Sequence, residues 1–240
     1  MRIIFCWDDG ALQDQKLFAL HEKYELPGMF FVPTSNREGR EVLTPAMIRQ
    51  ARSPWVAFGG HTHSHVYLTQ IPAEQIEPEI SANQNYLQEV LGEPIAHFCL
   101  PGGKYKREML PLLYRYFRTV RTADTMCFRN RGPLYRPALH FYPRGVKSLL
   151  GNALRNHSFP EARLVWARRR EPYFTLLREL LQYEEPRNDA MVMIWGHSWE
   201  IEELQLWEEL EALFALCSTR YRSCCIPYDA IDAAGGPAAL

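Results

Sequence analysis

The sequence predicts an α/β fold, a parallel sheet covered by helices, arranged either as an open doubly wound sheet or as a barrel. Short apolar, β-rich runs alternate with segments of helical periodicity along most of the chain. Three of the clearest strands end in polar clusters, and parallel strands would bring those ends to one rim, where function gathers in both architectures. A chain of 240 residues is long enough for one large core, so a single domain over residues 1–228 and a short C-terminal tail over 229–240 are expected.

The elements follow in order. RIIFCW (2–7) is the first apolar run, and ALQDQKLFALHEKY (11–24) follows with Leu12, Leu17, Phe18 and Leu20 at near-helical spacing. GMFFVPT (28–34) reads as a second buried strand. In TPAMIRQARS, Thr44 is the expected N-cap and Pro45 the first helical residue. WVAFGG (55–60) is the third strand, and IPAEQIEPEISANQNYLQEVLG (71–92) is a long helix ending at Gly92. IAHFCLPGG (95–103) supplies a fourth strand, KREMLPLLYRYF (106–117) a helix interrupted by Pro111, and RTVRTA (118–123) a fifth strand. The pattern weakens from 126 to 188, where LYRPALHFYPRG (134–145) reads as a loop or irregular strand and 146–183 as mostly helical. AMVMIWGHS (190–198) is the clearest late strand; a helix over 200–218 and a short strand YRSCCIPY (221–228) complete the domain.

Charge narrows the classes of partner. Twenty-seven Lys and Arg against 28 Asp and Glu give a net charge of −1, so no global field draws the chain to nucleic acid or to an anionic membrane. The N-terminal apolar run is too short for a signal peptide, and no segment reaches the ~20 apolar residues of a spanning helix. The expectation is a soluble, cytoplasmic protein without membrane insertion. The six cysteines contain no C-x-x-C pair, which favours buried free thiols over a disulfide framework or zinc knuckle.

The three polar strand ends are Asp8-Asp9-Gly10, His61-Thr62-His63-Ser64-His65 and His197-Ser198. On a helical turn, His61 and His65 at i and i+4 would share one face, near enough to bind one divalent ion. A carboxylate from Asp9 or Asp8 would complete a set of two His and one Asp, with positions open for water and substrate. Two adjacent carboxylates point in different directions, so one can hold the metal while the other accepts a proton, a division that suits a hydrolase. Taken singly, each motif is also an ordinary surface turn; their conjunction at successive strand ends carries the reading.

That combination resembles the polysaccharide deacetylases, carbohydrate esterase family 4, whose fold is a distorted (β/α) barrel. CWDDG (6–10) resembles the family's first motif, T-F-D-D-G, and HTHSH (61–65) its second, H-[ST]-x-x-H. The resemblance implies Asp8 as catalytic base, Asp9, His61 and His65 as metal ligands, and His63 as a neighbour at a variable position. CLPGG (99–103) stands where the family has R-x-P-[FY]-G, with Cys99 in place of the arginine and Gly102 in place of the aromatic residue. The Gly102 N–H would still serve an oxyanion, since that role needs no side chain. Arg136 is the candidate to replace the missing arginine, which in the family orients the base, although a structural role fits Arg136 equally well. The family's aspartate–tryptophan motif has no counterpart. VMIWGHSWE (192–200) resembles the final motif, making His197 the expected general acid. Trp195 and Trp199, beside the same strand ends, suit either a sugar-binding wall or packing that closes the barrel. Arg163, Arg168, Arg169 and Arg170 are expected on the solvated side of a helix.

The resemblance implies a divalent metal, zinc first, and removal of an acetyl group from a sugar or glycoconjugate precursor, N-acetyl before O-acetyl. Two alternatives stay open: a cyclic amide or ureide hydrolase on the same fold, and a carbohydrate-binding relative without turnover. The particular substrate, the physiological metal and the oligomeric state stay open too.

Overall fold

The computed structural model describes residues 1–234. Eight strands form one parallel sheet: β1 (Arg2–Asp8), β2 (Gly28–Val32), β3 (Val56–Gly60), β4 (His97–Cys99), β5 (Thr119–Arg121), β6 (Leu134–Tyr135), β7 (Leu139–His140) and β8 (Met191–Gly196). Their order is β6-β5-β4-β3-β2-β1-β8-β7. The two edges are neighbours in sequence, separated only by residues 136–138. One stretch of chain therefore pairs with β5 at its start, through Thr122 N–H to Tyr135 C=O, and with β8 at its end, through Ala138 N–H to Met193 C=O. Pro137 lies between and has no N–H to continue a ladder. The sheet curls until this kinked stretch closes it, giving a distorted (β/α) barrel.

Around the barrel lie α1 (Asp14–Tyr24), α2 (Pro45–Ala51), α3 (Ala73–Leu91), α4 (Leu110–Tyr116), α5 (Val146–Arg155), α6 (Phe159–Ala167), α7 (Tyr173–Glu184), α8 (Ser198–Glu203) and α9 (Trp207–Arg220). The predicted caps are in place: Thr44 Oγ1 accepts from Met47 N–H, and Gly92 ends α3 in the left-handed region at φ +71°. Among the described residues, no helix is long and apolar enough to cross a membrane.

Period-2 alternation divides the core into two layers. Ile3, Phe5 and Trp7 of β1 and Val192 and Ile194 of β8 pack outward against the helices. Ile4 and Cys6, with Met29 and Phe31 of β2, Cys99 of β4, Tyr135 of β6, and Met191, Met193 and Trp195 of β8, fill the interior. Tyr228 and Ile231 belong to the same inner cluster. They come from a 3-10 turn over Tyr228–Ala234, the stretch expected as the start of the tail. The rest of that tail, residues 235–240, lies outside the described residues.

Three local expectations change. Pro111 does not interrupt a helix; it sits in the first turn of α4, after a 3-10 turn over Arg107–Met109, where its missing N–H costs no internal bond. The single helix expected over 200–218 divides into α8 and α9 near Gln205, which adopts φ +55°. The expected strand over 221–228 is a 3-10 turn, Arg222–Cys224, joined to β1 by a bridge between Cys225 and Ile3.

Candidate active site

The inward rows run on past the interior cluster, and their last members form the site. The β1 row Ile4, Cys6 ends at Asp8; the β3 row passes Gly59 and reaches His61; β4 ends at Cys99 and β5 at Arg121. Gly59 has no side chain because the Phe31 ring occupies that space, 2.7 Å from where a Cβ would stand.

Asp9 follows in the left-handed region, φ +75°, a conformation that aspartate tolerates better than most residues. The turn separates the two carboxylates. Asp9 Oδ1 lies 3.3 Å from His61 Nε2 and 3.0 Å from His65 Nε2. The histidines do not share a helical face, as the spacing suggested. They converge through an irregular loop in which Thr62 and His65 adopt φ +67° and +54°, and their ring centroids lie 5.1 Å apart. His63 is exposed. α3 holds this loop: Asn83 Oδ1 accepts from His61 N–H at 2.8 Å, and Glu79 binds both the N–H and the hydroxyl of Ser64.

His61 donates through Nδ1 to the Cys99 carbonyl at 2.8 Å, which fixes the ring with Nε2 turned toward Asp9. Burial alone would raise the Asp9 carboxyl, but the His197 charge and hydrogen bonds from His61 and His65 hold it well below the usual carboxylate range. His65 Nδ1 is buried without a hydrogen-bond partner. A buried anion with two imidazole nitrogens, all within 4.8 Å of one another, is a donor set that fits a divalent cation.

Asp8 faces the interior, where Arg121 Nη2 donates to its Oδ1. The guanidinium is fully buried between the rings of Phe31 and Trp195, 5.1 and 5.2 Å from their centroids, and also contacts Cys99 Sγ at 2.9 Å. The arginine facing Asp8 is therefore Arg121, not Arg136. Tyr135 takes the inward position on β6, so Arg136 falls on the other face, where its N–H bonds Asn130 Oδ1. Trp195 is likewise no open wall: it is buried, stacked on His140 at 4.0 Å and 8°.

His197 Nε2 approaches Asp9 Oδ2 at 3.8 Å, while its Nδ1 is 2.7 Å from Glu200 Oε2. The same Glu200 oxygen lies 3.0 Å from His140 Nε2. Burial opposes a charge on His197, but Asp9 and Glu200 outweigh it and raise the imidazole to about 9. Trp199 Nε1 donates to Asp9 Oδ2 at 2.9 Å, and the Arg40 guanidinium covers its ring at 3.9 Å. Gly102 is exposed in the turn after β4 at φ +60°, with Tyr67 filling the space a side chain would need. A cavity of about 300 Å³ opens beside His65, lined by Arg37, Glu38, Tyr67 and Gln70 among others.

Arg121, Glu200 and Asn83 were not anticipated. Each left a trace: Arg121 by its parity on β5, Glu200 by its place three residues after His197, and Asn83 by its position in the buried stripe Ile76, Ile80, Leu87 of α3.

The family model for polysaccharide deacetylase matches residues 1–116. Over this stretch the sequence is similar to the polysaccharide deacetylase family. The match takes in both aspartates, His61, His65 and the CLPGG turn, while Arg121, His197 and Glu200 lie beyond it. Solved structures extend the likeness to most of the chain. A Mycobacterium smegmatis structure named for the polysaccharide deacetylases is 13% identical with a TM-score of 0.63, over 91% of this chain and 84% of its own. A family 4 carbohydrate esterase from Streptomyces lividans, solved with acetate, is 14% identical with a TM-score of 0.55, over 90% and 89%. At these identities the likeness is one of fold. The chain spans about half the length of two other deacetylase structures it matches, 46% and 56%. No curated protein matches the sequence.

Proposed function

We propose that this chain is a divalent-metal-dependent deacetylase that removes an acetyl group, N-acetyl in preference to O-acetyl, from a sugar or glycoconjugate precursor. The observation that carries the reading is the pairing of the Asp9, His61, His65 set with a second, separately held carboxylate on Asp8 and an imidazole on His197. Zinc is the first choice for these donors, which also accept cobalt, nickel or iron. A cation held there would polarise the acyl carbonyl and acidify a water molecule.

The remaining work falls to the chain's own groups. Asp8, kept in place by Arg121, accepts the proton of the attacking water. The Gly102 N–H donates to the oxygen that gains charge. His197, held through Nδ1 by Glu200, delivers a proton from Nε2 to the departing nitrogen. Acetate and a free amine result. The cavity beside His65, with its mixed polar and aromatic lining, suits a saccharide.

The direct test is metal content per chain, with a His61→Ala, His65→Ala double variant as control, followed by acetate release from N-acetyl and O-acetyl sugars. The expected result is close to one equivalent of metal, absent from the variant, and acetate release that chelation abolishes. No bound metal after incubation with zinc would remove the ligand assignment. Metal without acetate from any acetylated sugar would remove the substrate class.

A further inference from the structure

The net charge of −1 conceals an uneven distribution. Residues 144–171 carry seven Arg and Lys against two Glu, a local charge of +5, which leaves −6 for the rest of the chain. This segment contains α5 and α6, which pack together as a hairpin outside the barrel. One of its two carboxylates is not available at the surface, because Glu161 is fully buried and paired with Arg129 at 2.7 Å.

The hairpin also carries three of the four large apolar side chains most exposed among the described residues: Leu154 (57%), Phe159 (53%) and Trp166 (58%). On α6 and just past it, Phe159, Arg163, Trp166 and Arg170 recur at intervals of four, three and four, the spacing of one helical face. The opposite face is anchored by Val165, fully buried, and by Glu161. Arg169 stacks over the Trp166 ring at 4.8 Å. The outer stripe of α6 thus alternates aromatic and guanidinium groups, and the barrel does not cover it.

We propose that this face docks on an anionic phospholipid surface. An aromatic side chain flanked by arginines meets the two demands of a bilayer interface: the ring enters the headgroup boundary, and the guanidinium groups remain at the phosphates. Charge argues against a second copy of the chain as the occupant, since a self-paired face would set +5 against +5. Docking is peripheral, because α6 has only nine residues and cannot span a bilayer. This inference stands apart from the proposed chemistry and does not depend on it.

The test is co-sedimentation of the whole chain with phosphatidylcholine vesicles, with and without about a third phosphatidylglycerol, at low and high salt. The expected result is binding to the anionic vesicles that weakens with salt, and little binding to phosphatidylcholine alone. Two variants, Phe159→Ala/Trp166→Ala and Arg163→Glu/Arg170→Glu, should each weaken binding roughly tenfold or more. Their thermal midpoints should be unchanged, since all four side chains are exposed. Absence of binding at low salt, equal binding to neutral vesicles, or binding unaltered in both variants would overturn the proposal. So would a dimer in sedimentation velocity that the Phe159→Ala/Trp166→Ala variant dissolves, which would assign the face to a second copy.

Discussion

Arg121 places a full charge inside the barrel, out of contact with bulk solvent, and its counter-charge is Asp8. Removing one member of such a pair leaves the other buried and unanswered, so Arg121→Met is expected to cost about 3–5 kcal/mol, read as a lowered urea midpoint. Arg121→Lys should restore part of the stability but little turnover, because one ammonium cannot match a guanidinium that contacts both Asp8 and Cys99. In the proposed reaction Glu200 stands one step away from the reacting atoms, at 2.7 Å from His197 Nδ1. If its function is to orient His197, Glu200→Gln should lower kcat about a hundredfold on an N-acetyl sugar, whose amine leaves only when protonated. The same variant should hydrolyse para-nitrophenyl acetate almost normally, because nitrophenolate departs without a proton. Equal losses on both substrates would indicate general damage instead. The sequence made Asp8, Asp9, His61, His65 and His197 visible, since each lies in a polar cluster at the end of an apolar strand. It hid their supports, because a residue such as Arg121 is recognised only when the parity of several short strands is compared in three dimensions.

β1, β2 and α1 meet at His21, which is fully buried. Trp7 Nε1 donates to His21 Nε2 at 2.7 Å, so the ring proton lies on Nδ1 and is given to the Leu26 carbonyl at 2.6 Å. A Cβ on Gly28 would come within 2.5 Å of the His21 ring. Gly28→Ala is therefore expected to destabilise the fold by about 1–3 kcal/mol in a thermal or urea melt, the usual range for overpacking. Element boundaries were legible where local chemistry sets them, as with the Thr44 cap and Gly92. They were less so where tertiary contacts decide. Periodicity continues across Gln205 although the chain turns there, and the histidine spacing that suggests a helix is realised in a loop that α3 holds in place.

At the scale of the whole molecule, His21 also sets a limit on acid stability. Burial lowers it to about 4, partly offset by its bond to Leu26, and a second ring proton would confront the Trp7 N–H. The unfolded chain takes up a proton first, near pH 6.5, so the His21 contribution is complete above that pH and is lost as the pH falls toward 4. The loss is on the order of 3 kcal/mol. Urea melts across this window should show a steeper decline for the native chain than for His21→Gln, while titration at Asp9 and His65 would appear in both. The fold class and the single sheet were legible because β1, β2, β3 and β8 are contiguous, largely apolar runs. The mode of closure was not, because residues 134–140 are too short and too proline-rich to register as two strands.

That closure fixes the order in which the barrel loses its protection against hydrogen exchange. The β1–β8 ladder joins six residue pairs, whereas β5–β6 and β7–β8 join two each, with a proline between the two contacts. Deuterium should enter the amides of Thr122, Ala138 and Phe141 through local opening of this seam. Those of Ile4 to Trp7 and Val192 to Trp195 should exchange only when the whole domain unfolds. The barrel would then behave as a sheet with one clasp, and its interior charge pair, Asp8 and Arg121, would be reached by water first from the side where the clasp opens.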